Sequence, residues 1–148
     1  MGTSVQPEGG FRTEEEQQVG KEIEEIFTKC PDSVETKLES FTKYVRRQNL
    51  TRFLALYEIF KKVSDVKGSI IECGVYRGFG VMAWANLSAI LEPVNLTRRI
   101  YGFDTFEGFP LAPLSSDSFE ELNELTRIYD RNRYLGHIKK VELIKGDA

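Results

Sequence analysis

Hydrophobic positions recur at helical spacing along the first part of the chain and gather into short β-branched runs later. Val19, Ile23, Ile26 and Phe27 follow Thr13-Glu14-Glu15-Glu16, a capping box with Thr13 as N-cap and Glu16 three residues on. They predict an amphipathic helix ending near Cys30-Pro31, preceded by a disordered polar arm over residues 1–12. Leu38, Phe41, Tyr44 and Val45 predict a second helical stretch over residues 34–47. Leu50, Phe53, Leu54, Tyr57, Phe60 and Val63 make a third stripe, with Asn49 as N-cap and Gly68 as stop. Residues 13–67 are thus expected to form a helical layer or lid beside the remainder of the chain.

From Gly68 the pattern changes. Ser69-Ile70-Ile71 reads as a buried strand, and residues 81–91 as an apolar-rich helix running to Pro93. Residues 98–104 predict a second strand, followed by a turn-rich aromatic loop over residues 105–110. Phe119, Leu122, Leu125, Ile128 and Tyr129 are spaced as one face of a helix starting at Asp117 or Ser118, and Gly136 ends that region. Val141-Glu142-Leu143-Ile144 predicts a third strand. Strand and helix in alternation imply an α/β fold with a parallel sheet and right-handed crossovers over residues 68–148.

Composition narrows the function. The 148 residues, 41% of them hydrophobic, are one domain's worth of chain and enough for a core. A net charge of −3 gives no reason to expect nucleic acid as a partner. No run approaches the roughly 20 apolar residues of a membrane span, and no secretory signal opens the chain. Cys30 and Cys73 lie far apart and read as reduced thiols in a cytoplasmic protein, with Cys73 serving packing. The sequons at Asn49, Asn86 and Asn95 read as chance matches. Arg46, Arg47 and Arg52 cluster at a helix joint and are read as a solvated turn rather than an anion contact. His137, the one histidine, is read as a solvated loop residue rather than a base.

The chemistry gathers where strands end. Glu72 is followed by Gly74, Gly78 and Gly80, Asp104 closes the second strand, and Asp147 follows the third. Ligands of open parallel sheets bind outside the carboxyl ends of the strands, where such residues converge. A carboxylate after the second strand suits the vicinal hydroxyls of a ribose. Asp147 suits an adenine amine, and Phe103, Phe106 or Ile144 an apolar wall for the ring. The spacing Glu-x-Gly-x-x-x-Gly-x-Gly departs from the dinucleotide pattern Gly-x-Gly-x-x-Gly, and no Gly-Lys-Ser/Thr follows to hold a triphosphate. An acid in the turn is awkward beside a pyrophosphate and comfortable beside an ammonium, which points to S-adenosylmethionine. A nicotinamide enzyme is the reading that preferential dinucleotide binding would revive.

Two runs carry a resemblance. Gly68-Ser69-Ile70-Ile71-Glu72-Cys73-Gly74-Val75-Tyr76-Arg77-Gly78 and Ile100-Tyr101-Gly102-Phe103-Asp104-Thr105-Phe106-Glu107-Gly108-Phe109-Pro110 resemble the macrocin O-methyltransferase family of class I S-adenosylmethionine-dependent methyltransferases. The similarity runs from about Tyr44 to the last residue. It implies a Rossmann-like sheet, with Glu72, Gly74 and Gly78 near the methionine part of the cofactor, Asp104 on the ribose and Asp147 on the adenine. The cofactor-binding set is then Glu72, Gly74, Val75, Tyr76, Arg77, Gly78, Gly80, Asp104, Thr105, Phe106, Asp147 and Ala148. Members methylate hydroxyls, commonly on sugars, with a divalent metal such as Mg whose ligands lie beyond the third strand. No catalytic or metal-binding residue is therefore assigned here.

A complete sheet of that family holds more strands than are visible in this sequence. The chain is accordingly expected to be a truncated enzyme, inactive at this length and self-associating through its exposed sheet edge or its N-terminal helices. The alternative is a non-catalytic cofactor-binding or assembly fragment.

Overall fold

The structure is a computed structural model that describes residues 13–146, so the arm over residues 1–12, Asp147 and Ala148 lie outside the described residues. The chain divides into two compact units, Met1–Leu54 and Ala55–Ala148.

In the first unit, α1 (Glu14–Lys29) starts on the capping box, with the Thr13 side chain accepting from the Glu16 N–H and the Glu16 carboxylate accepting from the Thr13 N–H. It ends at Cys30. The expected second helix is cut short: α2 covers Val34–Glu39, a 3-10 turn covers Phe41–Lys43, and α3 (Arg47–Val63) has already begun at Arg47. Ser40 is the break, and Ser40, Phe41 and Thr42 are all weak helix formers. The Asn49 N–H donates to the Arg46 carbonyl, so Asn49 is inside the first turn of α3 and is not its cap.

The second unit is built on a parallel sheet of β1 (Ile70–Cys73), β2 (Ile100–Asp104) and β5 (Val141–Lys145), in that spatial order. In register, Ile70 faces Ile100 and Ile100 faces Val141. The crossovers run through α4 (Phe79–Leu91) and α5 (Ser118–Asn132). Both helices pack on the face carrying Ile100, Val141 and Leu143, where Val75, Val81, Ala85, Phe106 and Leu122 complete the core. Gly102 is central to this packing. A Cβ there would stand 2.7 Å from Val75 and 3.0 Å from Val81.

At the opposite end of the strands from the acids, Arg98 is 4% exposed. Its guanidinium pairs with Glu92 and donates to the Ser64, Val66 and Gly68 carbonyls. Lys140 donates from its Nζ to the Asn95 and Arg98 carbonyls. The expected aromatic loop contains a small antiparallel hairpin, β3 (Gly108–Phe109) with β4 (Ala112–Pro113).

Candidate functional site

The turn after β1 is held by three hydrogen bonds donated by backbone N–H groups, two to carbonyls and one to a carboxylate. The Gly74 N–H donates to the Phe103 carbonyl at 2.8 Å, the Tyr76 N–H to Asp104 Oδ2 at 2.6 Å, and the Gly78 N–H to the Val75 carbonyl at 3.0 Å. Gly74, Tyr76 and Gly78 all take positive φ, at 87°, 53° and 94°. Glycine accepts that conformation without penalty, whereas Tyr76 is held there against steric preference. Gly78 is the N-cap of α4, and a Cβ on it would fall 2.6 Å from Leu122 Cδ1.

Asp104 joins this turn to the end of β2. While Oδ2 takes the Tyr76 N–H, Oδ1 takes the Phe106 N–H at 3.0 Å and the Thr105 hydroxyl at 3.4 Å. Partial burial pushes its pKa up, but hydrogen bonds from the Tyr76, Phe106 and Thr105 backbone and the Thr105 hydroxyl outweigh it, and the carboxyl sits below its ordinary value. It is an anion with fixed orientation.

Beside Asp104 lies a cleft of about 480 Å³, lined from the turn by Cys73, Gly74 and Tyr76 and from β2 by Phe103, Asp104 and Thr105. Gly108 and Phe109 of the hairpin, and Ile144 and Gly146 at the end of β5, close it. The Tyr76 and Phe109 rings stand 5.4 Å apart. A Cβ built on Gly74 meets nothing within 4 Å, so a ligand can approach its backbone. Among the described lining residues none is basic, which suits an adenosyl group better than a phosphate.

Of the expected set, Gly74, Tyr76, Asp104 and Thr105 line the cleft. Glu72 does not. Its carboxylate accepts from Trp84 Nε1 at 3.0 Å and lies against Gly80, where a Cβ would come within 2.3 Å of Oε1. Val75 and Phe106 belong to the core, and Gly78 and Gly80 to the start of α4. Arg77 stacks over the Tyr76 ring at 5.2 Å and lines a smaller depression with Ser118 and Glu121.

Cys73 departs from its expected packing role, for it is exposed and lines the cleft. Strand alternation sends it to the face opposite Glu72, a signal present in the sequence. Phe109 is reached only through the hairpin and had no comparable signal. His137 is exposed, as expected.

No curated protein sequence matches the chain. A crystal structure of CalS11, calicheamicin methyltransferase, superposes with a TM-score of 0.84 at 28% identity, covering 92% of this chain and 59% of that one. The apo structure of CalS11, described as TDP-rhamnose 3'-O-methyltransferase of calicheamicin biosynthesis, gives 0.82 at 28% identity, covering 92% of this chain and 57% of that one. The chain thus spans 59% and 57% of the lengths of these relatives. The macrocin-O-methyltransferase (TylF) profile matches residues 35–135, most of the chain, and by that match the protein belongs to the macrocin O-methyltransferase family.

Proposed function

We propose that this chain carries the S-adenosylmethionine-binding part of an O-methyltransferase acting on a hydroxyl of a sugar or sugar-bearing small molecule. Asp104 carries the reading. A carboxylate has about four acceptor positions, and the Tyr76 and Phe106 N–H groups use one on each oxygen. The long Thr105 contact is rotatable, so both oxygens have room for the vicinal hydroxyls of a ribose. Phe103, Phe109 and Ile144 offer apolar walls to an adenine, and the open backbone at Gly74 receives the methionine part. Glu72 acts one step removed, its bond to Trp84 fixing the start of α4 against β1. Val75, Arg77, Gly78, Gly80 and Phe106 frame the turn, while Asp147 and Ala148 are assigned to the adenine end on the sequence reading alone.

When bound, S-adenosylmethionine supplies a sulfonium methyl that passes to an acceptor oxygen by in-line displacement. This chain's own residues contribute orientation: Asp104 fixes the adenosyl group about the ribose, and the hairpin shields one side of the cleft. The sugar acceptor is inferred from CalS11, described as acting on TDP-rhamnose. The Mg ion that the resemblance implies finds no cluster of three or more His, Cys, Asp or Glu among the described residues, and none of these roles is routed through it. No helix among the described residues is long and apolar enough to cross a membrane. A cytoplasmic location, a homo-oligomeric state, and the assignment of cofactor binding to residues 68–148 are parts of the same proposal.

Calorimetric titration tests it. S-adenosylmethionine is expected to bind with micromolar affinity and Asp104→Ala to weaken it at least roughly tenfold. Absence of heat from the wild-type chain, or tighter binding of a dinucleotide, would overturn the assignment. Methyl transfer to sugar acceptors then separates an enzyme from a chain that binds the cofactor without catalysis.

A further inference from the structure

We propose that the helical unit ending at Leu54 holds a second site, for a monoanionic amphiphile of the alkyl or aryl carboxylate class, anchored by Arg46. The site is a groove of about 430 Å³ between α1, α2 and the 3-10 turn, walled by Ile23, Phe27, Leu38, Phe41, Tyr44 and Val45. Leu38 is 63% exposed and Phe41 50%, although both border a concave apolar surface. Phe27 and Tyr44 meet edge to face at 5.0 Å and give it a stiff floor.

Arg46 lines this groove, and its Nη1 is buried without a hydrogen-bond partner. A guanidinium nitrogen shut away from water and left unpaired is costly, and a planar carboxylate is the acceptor that matches its fork. Of the three arginines clustered in the sequence, Arg47 and Arg52 are exposed and only Arg46 is half-buried, so the solvated-turn reading fails at that residue.

Charge sets the valence of the ligand. Lys37 and Glu24 also line the groove, leaving one positive charge with Arg46 included. Lys37 is already engaged, donating to the Phe27 carbonyl at 2.6 Å and lying 4.6 Å over the Phe27 ring. Glu24 opposes a dianion. One carboxylate with an apolar body balances what is there, and a phosphate does not.

The test compares 4-phenylbutyrate with its uncharged amide, titrated into the full chain and followed by calorimetry and by the NMR shifts of the Phe27 and Tyr44 rings. The acid is expected to bind at least roughly tenfold tighter than the amide. Arg46→Met is expected to erase the difference, and Arg47→Met, on the exposed neighbour, to retain it. Should Arg46→Met not fold, Arg46→Lys keeps the charge without the fork and is expected to reduce the preference. Equal binding of acid and amide, a preference that survives Arg46→Met or is undiminished in Arg46→Lys, displacement by inorganic phosphate, or no binding of either compound would overturn the site. S-adenosylmethionine affinity is expected to be unchanged in Arg46→Met, so failure here leaves the cofactor assignment standing.

Discussion

Asp104 holds two residues, Tyr76 and Phe106, whose φ values of 53° and 58° are unfavourable for anything but glycine. Each gives its N–H to a different carboxylate oxygen, so a neutral side chain at 104 would loosen two strained turns together. Asp104→Asn is expected to cost about 1.5–3 kcal/mol at neutral pH, measured by urea denaturation. Because the native carboxyl sits below its ordinary value, its stabilisation is present above the unfolded pKa of about 3.9 and disappears as pH falls through the native pKa. The gap between wild type and Asp104→Asn should therefore close in acid. If it stays constant from pH 7 to pH 2, the anion is not what holds the turn. Glycines give a contrast of sign. Gly78→Ala meets both a φ of 94° and Leu122 at 2.6 Å and should lose about 2 kcal/mol or more. Gly20 lies inside α1 with only Arg46 Nη1 near its Cβ position, at 3.7 Å, an ordinary contact. Gly20→Ala should gain about 0.5–1 kcal/mol, visible as a raised urea midpoint.

Elements were legible in the sequence where one side chain type dominated a face. The capping box of α1, the apolar run of α4 and the three strands follow directly from their patterns. α5 does not. Its apolar spacing selects Leu125 and Ile128, yet both are 46% exposed, and the buried positions beyond Leu122 are Thr126 and Asp130. The buried stripe is polar because the neighbours are. Asp130 Oδ1 accepts from the Lys140 N–H at the start of β5 and from Arg133 Nε, while the Tyr129 hydroxyl donates to the Ala85 carbonyl of α4. Burial pushes the Tyr129 phenol up to about 12. Lys140 lies ten residues from Asp130 and Ala85 44 from Tyr129, so these partners leave no local periodic trace, and the same holds for Arg98 and its carbonyls. Asp130→Ala strands the Lys140 amide and should cost about 1–3 kcal/mol, with amide exchange in β5 accelerating first. The candidate site divides in the same way: Gly74 and Asp104 at strand ends could be read in advance as cleft residues, whereas Glu72 turns to Trp84 and Phe109 depended on a hairpin hidden in an aromatic loop.

For the whole molecule, the consequence of greatest reach lies on the second face of the sheet. Alternation along the strands places Ile70, Ile100, Val141 and Leu143 under α4 and α5, and sends Ile71, Tyr101, Phe103 and Ile144 to the other side. Parallel sheets are ordinarily covered on both faces, yet Ile71 is 65% exposed and Phe103 39%. β1 is also an edge strand, with its outer hydrogen-bonding groups unpaired within the sheet. A largely apolar face, interrupted by Glu142 opposite Tyr101, beside an open edge favours association of copies of this chain. Sedimentation equilibrium at micromolar concentration should give a mass above the 17.0 kDa of one chain. Ile71→Lys adds a charge to that face without touching the core or the residues lining the cleft, and should shift the distribution towards monomer while leaving S-adenosylmethionine binding intact. A sharp monomer from the wild type would show that the uncovered face tolerates water, and Ile71→Lys would then have no effect on mass.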